Sequence, residues 1–459
     1  MITGSAGAAV CEPLRVETTI ETRGPNFPAP EQAYGKRGAV MVTGDFNGDG
    51  YGDSAFSEIP LYKAGKVFVV FGSLNVVAQA LTQSSIPGEV ESIDNYFGTS
   101  LAVGDFNTDG YDDLVVTSMR SNGMHTSGKY FVIPGGASGL RPQQAMRVGT
   151  LTVENSPQPM TVGDFDRDGF DDIATGQPMW QGTCPQYQPY GRLIVAFGTG
   201  SANVPFDRFV TTAQNLNGVQ CGAGFGTAIG SGPVQGRMRV LVGQPSYDLP
   251  GSTPLKDVGS YLQFELTDGL QQVDFNYAVQ AQAHYGSSFA FGDFDGDARK
   301  DYAIGAWGGF SVPGWVRIGF ARGGSQVLTR SDFGGSYSPY GDGFATSIAA
   351  GDFDGDRTQD LVVAERQFQS GPPYDDEGAI LIARGNYMSN LQPVHTEIQV
   401  VPTALNRGPN GVRAIDADND GIDEVLVSHP SSEVDEDAVH YSGFVTRSKL
   451  VNLDQCSPD

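Results

Sequence analysis

Residues 102–119 read AVGDFNTDGYDDLVVTSM, and residues 228–245, AIGSGPVQGRMRVLVGQP, lie over them without a gap. In both, a short apolar run ends near glycine, a nine-residue loop follows, and a second apolar run begins at once. Ser231 replaces the first aspartate of the loop and Gln235 the third. A frame that persists after its acids are gone is a structural repeat first and a binding motif second.

Six acidic versions of the loop follow the same spacing. They read DFNGDGYGD from Asp45, DFNTDGYDD from Asp105, DFDRDGFDD from Asp164, DFDGDARKD from Asp293, DFDGDRTQD from Asp352 and DADNDGIDE from Asp416. With the acid-free fourth copy this makes seven repeats of roughly 60 residues. Each repeat places a second run after the loop, as in DLVVTS (113–118), DIATGQP (172–178) and EVLVSHP (424–430). A glycine-led third run follows, as in GKVFVVFG (65–72), GKYFVIPG (128–135), GRLIVAFG (191–198), GWVRIGF (314–320) and GAILIARG (378–385). A looser fourth run comes next, such as TLTVE (150–154). Short runs rich in β-branched and aromatic residues and broken by glycine are strands.

Four antiparallel strands per repeat predict an all-β, seven-bladed β-propeller in one domain spanning 1–459. The blades fall near 34–93, 94–152, 153–221, 222–281, 282–342, 343–403, and 404–459 with 12–33. The last repeat is short of an outer strand, and LRVETTIET (14–22) is spare, so the N-terminal strand is expected to complete the last blade. Cys11 and Cys456 would then pair across the closure, and Cys184 with Cys221 on one rim. None of the four cysteines forms a CxxC pair, which argues against a zinc or redox motif and for an oxidising, exported setting. The first residues, MITGSAGAAV, lack a basic n-region, so they read as a mature or trimmed start.

The spacing D-x-[DN]-x-D-G-x-x-D sets oxygens at loop positions 1, 3, 5 and 9, with the main-chain carbonyl of position 7 as a fifth. Calcium takes six to eight hard oxygens at about 2.3–2.6 Å, which such a loop plus water supplies. The expected ligands are Asp45, Asn47, Asp49, Tyr51 and Asp53, then Asp105, Asn107, Asp109, Tyr111 and Asp113. The third loop offers Asp164, Asp166, Asp168, Phe170 and Asp172, and the fifth Asp293, Asp295, Asp297, Arg299 and Asp301. The sixth offers Asp352, Asp354, Asp356, Thr358 and Asp360, and the seventh Asp416, Asp418, Asp420, Ile422 and Glu424. Strands, not helices, flank each loop, which separates it from an EF-hand. Ala298 and Arg357 replace the turn glycine and Glu424 the final aspartate, so these three loops are expected to be weaker. The formal net charge of −25 fits about six Ca²⁺ ions and argues against nucleic acid, whose phosphates call for a basic footprint. No apolar run reaches the length of a membrane span.

This grammar resembles the FG-GAP repeats of the integrin α-subunit propeller and its bacterial and fungal relatives. The FG dipeptide stands at Phe97-Gly98 and Phe225-Gly226, and loosely at Tyr34-Gly35 and Tyr285-Gly286. The GAP position reads Gly176-Gln177-Pro178, Gly243-Gln244-Pro245 and Gly305-Ala306-Trp307. The resemblance implies a seven-bladed ring with calcium on its lower face, and leaves function to the site itself.

The loops on the opposite face are rich in aromatics that suit sugar stacking or protein contact. Ligand candidates there are Trp180, Tyr187, Tyr190, Tyr247, Trp307, Tyr337, Tyr340 and Tyr374. The alternative is that these rings pack between blades. A lyase or hydrolase of acidic polysaccharide could use His284 with Tyr285 as base, but no signature fixes that pair, and His125, His284 and His440 read as surface histidines without catalysis. No GxSxG, HExxH or phosphate-cradling loop occurs. The expectation is a secreted or cell-surface, calcium-binding, non-enzymatic and monomeric adhesion module for glycans or proteins.

Overall fold

The computed structural model describes Arg15–Val16 and residues 36–451, apart from 60–63, 73–75, 93–94, 122–125, 149–157, 186–187, 202, 204, 213–215, 267–268, 310–311, 335–342, 370–375, 388, 394–397, 400–410, 430–443 and 449. Every repeat folds as an antiparallel sheet whose strands pair in chain order. In the second, Asn95–Gly104, Asp113–Ser121, Thr126–Ile133 and Met146–Val148 lie side by side. The run at 150–154 expected as its fourth strand lies outside the described residues, and Met146–Val148 holds that place. The first, third, fourth and fifth repeats are built alike. In the sixth, Gln392–Pro393 and Ile398–Gln399 share the outer edge of Asp376–Arg384.

The strand count corrects the expectation of seven four-stranded blades. Among the described residues six blades are complete. The seventh repeat forms a three-stranded sheet of Gly411–Ile415, Glu424–His429 and Phe444–Ser448. Among the described residues, the N-terminal strand does not pair with Phe444–Ser448 of that sheet. Arg15–Val16 pairs with Leu450–Val451 in a two-stranded ladder of its own, Arg15 opposite Val451 and Val16 opposite Leu450.

Apolar clusters fill the junctions between neighbouring sheets. Phe46, Val67 and Val69 of the first blade meet Phe97, Leu114 and Phe131 of the second. The three-stranded sheet sits between the sixth and first blades, where Ile415, Leu426 and Val445 pack on Met41, Phe56 and Phe68. The phenylalanine at loop position 2 is the recurrent plug, with Phe46, Phe106, Phe165, Phe294 and Phe353 all buried. It anchors an acidic hairpin to the core in five of the six blades.

The FG dipeptide has a backbone role. In the fifth blade, register shifts between Tyr285 and Ser288, and Gly286 takes φ +85°. A Cβ at Gly286 would lie 2.3 Å from the carbonyl oxygen of Ser260, so only glycine lets the two blades approach there. The sixth blade makes the same bulge at Phe344-Ala345, with Ala345 at φ +62°. This copy was hidden in the sequence because alanine occupies the glycine position.

Candidate metal centres and the opposite face

Each acidic loop is organised by its first aspartate. The Asp45 carboxylate accepts from the N–H groups of Gly48 at 2.7 Å, Asp49 at 3.2 Å and Gly50 at 2.9 Å. Asp105, Asp164 and Asp416 collect the N–H groups of positions 5 and 6 of their own loops in the same way. The position-5 carboxylate then accepts from the N–H of position 7, as Asp49 does from Tyr51 at 3.0 Å.

The ninth residue ties the loop to its blade. Asp53 Oδ2 accepts from Phe46 N and Oδ1 from Gly72 N, both at 3.0 Å. Asp113, Asp172, Asp301 and Asp360 repeat both bonds, and Glu424 in the seventh repeat accepts from Ala417 N at 2.9 Å. The longer glutamate thus makes the same anchoring bond as the aspartate it replaces.

Four loops gather carboxylates closely enough for one cation. Ligand oxygens of Asp164, Asp166 and Asp172 lie within 4.8 Å of one another, as do those of Asp293, Asp295 and Asp297. Asp352, Asp354 and Asp356 form a third such group, and Asp416, Asp418 and Asp420 a fourth. Loops one and two carry asparagine at position 3, and Asn47 and Asn107 accept from Asp49 N and Asp109 N there. Hard, mostly anionic oxygens of this kind suit a divalent cation. Asp166 Oδ1 is a specific sign of fit, being buried and without a hydrogen-bond partner among the described residues. A cation would satisfy it.

Arginines neutralise part of this charge, which sequence reasoning did not foresee. Arg208, Arg322 and Arg384 hold the second oxygen of the position-3 acids Asp166, Asp295 and Asp354, at 2.5, 2.8 and 2.8 Å. Arg141 holds Asp109 at 2.7 Å. Each pair uses one oxygen of a carboxylate. Nothing in the spacing of the loops signals these partners, since they come from other segments of the chain.

The turn glycine proves replaceable. Gly50, Gly110, Gly169 and Gly421 sit at φ +83 to +91°, and Ala298 and Arg357 adopt +64° and +71° at the same place. Position 4 is left-handed too, in Thr108, Arg167 and Asn419. A left-handed non-glycine residue costs about 1–2 kcal/mol, part of which glycine returns through its freer unfolded chain. Ala298→Gly and Arg357→Gly are each expected to raise stability by about 0.5–1 kcal/mol, read by thermal denaturation.

Adjacent acidic loops touch directly, as when Asp112 N donates to Asp45 O at 3.1 Å and Gly52 N to Asp416 O at 2.7 Å, so these loops share a face. The loops from second to third strand lie at the other end of each sheet. There Trp180 is half-buried, its ring 6.3 Å from that of Tyr190 and the Arg192 guanidinium 5.3 Å away. Trp307, also half-buried, stacks on His284 at 4.0 Å and 7°. Tyr190 and Tyr247 are buried, Tyr190 accepting from Leu216 N at 2.7 Å and Tyr247 packing on Phe275. Tyr187, Tyr337, Tyr340 and Tyr374 lie outside the described residues, as do His125, His395 and His440.

The Tyr285 half of the His284–Tyr285 pair is poorly suited to base chemistry. Tyr285 is buried against Tyr261, and burial pushes its phenol up, away from the useful range. Burial also lowers the pKa of His284, whose Nδ1 lies 3.2 Å from Pro245 O. The disulfide Cys184–Cys221 is present, with Cα atoms 5.7 Å apart. Cys11 and Cys456 lie outside the described residues.

The family model for the FG-GAP repeat matches residues 97–131, 160–190 and 344–382. The chain carries FG-GAP repeats. The matches begin at or near the FG bulge or inner strand and run through the acidic loop. The third starts at Phe344-Ala345, the copy with alanine in place of glycine. The FG-GAP chain is 27% identical over 278 residues to integrin alpha pat-2 of Caenorhabditis briggsae, covering 54% of this chain and 20% of that protein. It is 26% identical over 235 residues to phosphatidylinositol-glycan-specific phospholipase D of Mus musculus, covering 47% and 27%. Integrin alpha-PS5 of Drosophila melanogaster is 32% identical over 152 residues, covering 31% and 15%. The chain thus spans about a quarter or less of the length of these curated relatives. No helix among the described residues is long and apolar enough to cross a membrane.

Proposed function

We propose that this FG-GAP chain is an exported, calcium-stabilised binding module whose ligand, a glycan or a protein, docks on the face opposite the acidic loops. The observation that carries the calcium part is the gathering of three carboxylates within 4.8 Å in four separate loops of the same frame. Asp45, Asp49 and Asp53, with Asn47, would hold a fifth ion, and Asp105, Asp109 and Asp113, with Asn107, a sixth. The fourth repeat shows the hairpin without acids, where Ser231 bonds to Thr161 at 2.6 Å and to Val162 O at 2.9 Å. Acids are therefore not needed to turn the chain, and their placement calls for a ligand.

The opposite face supports a binding role through Trp180 and Trp307, which are only half-buried. Extracellular placement is consistent with the Cys184–Cys221 bridge and with calcium at extracellular concentrations. Glycan and protein arrays probed with the intact chain, with calcium and with a chelator, test the reading. Trp180→Ala or Trp307→Ala is expected to weaken binding about thirtyfold, the equivalent of 2 kcal/mol for a central aromatic. Undiminished binding by both variants would move the site elsewhere. Release of unsaturated uronate from acidic polysaccharide would instead establish a lyase.

A further inference from the structure

The eighth residue of the acidic loops does not serve its own loop. Asp112, in the second repeat, accepts from Asp45 N through Oδ2 at 2.7 Å, and its own N–H donates to Asp45 O at 3.1 Å. Asp423 makes the same two bonds to Asp352, at 2.8 and 2.7 Å, and Gln359 to Asp293, both at 3.0 Å. Asp171 accepts from Asp105 N at 3.0 Å. The residue held is always position 1 of the preceding loop, whose carboxylate gathers that loop's N–H groups.

Two details define the chemistry. Gln359 does this work with a neutral amide, so an acceptor is required and a charge is not. At the junction of the seventh and first repeats, position 8 is Gly52, which keeps only the main-chain bond to Asp416. A Cβ there would lie 2.7 Å from Ile415 Cγ1 and 2.8 Å from Asp416 O, so no side chain fits. In the acid-free fourth repeat position 8 is Met238, and in the fifth, which would reach back to Ser231, it is Lys300. Apart from Gly52, the acceptor is missing only where the loop it would hold, or the loop that would supply it, has lost its acids.

We propose that the eighth residue of each acidic loop is a positioning residue for the cation loop of the preceding repeat. Asp112, Asp171, Gln359 and Asp423, with Gly52, thereby join six loops into one series that is open at the fourth repeat. This rests on the calcium reading above. It separates acids that look alike in sequence: Asp112 and Asp113 are neighbours, yet Asp113 belongs to its own loop and Asp112 to the loop of Asp45.

Terbium anomalous scattering from crystals of the intact chain resolves each loop. At a concentration that half fills the wild-type loops, Asp112→Ala is expected to lower occupancy at the Asp45 loop at least threefold. The Asp105 loop, where residue 112 itself lies, should keep its occupancy. Asp112→Asn, which retains an acceptor, should restore the first loop. Asp423→Ala is an independent variant and should act on the Asp352 loop alone. Loss at the substituted residue's own loop, or equal loss at both, would overturn the inference while leaving the calcium reading intact. Wild-type crystals with no terbium in any acidic loop would overturn the calcium reading, and this inference with it.

Discussion

A chelator is expected to lower the Tm of the calcium-loaded protein by about 15 °C. A site held at one hundred times its Kd contributes about 2.7 kcal/mol, so six contribute roughly 16 kcal/mol. An unfolding entropy of about 2.1 cal/mol/K per residue gives roughly 1 kcal/mol/K for a chain of this length. The effect should depend on pH. Burial pushes Asp53, Asp113 and Asp172 up to about 7, Asp301 to about 6 and Asp360 to about 8, from 3.8. Without metal the folded chain therefore binds more protons than the unfolded chain between about pH 4 and 8. Its stability is lost as pH rises through that window. A cation offsets the ionised carboxylates, so the gap in Tm with and without chelator should widen from pH 5.5 to pH 8. Differential scanning fluorimetry reads both, and a Tm indifferent to chelator at pH 8 contradicts the six-site account.

Glu365→Ala is expected to destabilise the protein by about 3–5 kcal/mol, lowering Tm by some 3–5 °C. Arg330 and Glu365 are 2% and 0% exposed, with Nε 2.8 Å from Oε2. Arg330 opens the short helix Arg330–Phe333 after the fifth blade, and Glu365 lies on the strand Asp360–Gln369 of the sixth. Removing the acid leaves a guanidinium buried without that counter-charge. The double variant Arg330→Met with Glu365→Leu should recover most of the loss, because well-packed apolar residues replace a buried pair at little cost. A neutral version of the contact occurs one junction of the ring away from the closure, where Ser118 donates to Gln83 at 2.9 Å between the first two blades. Denaturation of both singles and the double forms a cycle. A single-variant cost below 1 kcal/mol would show that the pair is incidental.

Loop spacing and strand period made the repeat, the antiparallel sheets and the candidate cation ligands legible. These are properties of residues close in the chain. The Phe344-Ala345 bulge escaped because alanine carries the backbone angle that glycine signals elsewhere. Tyr190 and Tyr247 read as surface rings, but each is covered by residues well away in the chain, Leu216 and Phe275 among them.

By itself the sequence determined where each hairpin turns and which oxygens it presents, since a nine-residue loop carries its own ligands and hydrogen bonds. Only the tertiary structure decided that six blades are complete and one sheet has three strands. It alone shows Arg208, Arg322 and Arg384 on the acids, and the eighth residue of one loop on the first residue of another. Those outcomes depend on which sheet edges and loop backbones the ring brings together, 27 to 71 positions apart in the chain for the side-chain bonds concerned, and local spacing carries no record of that distance.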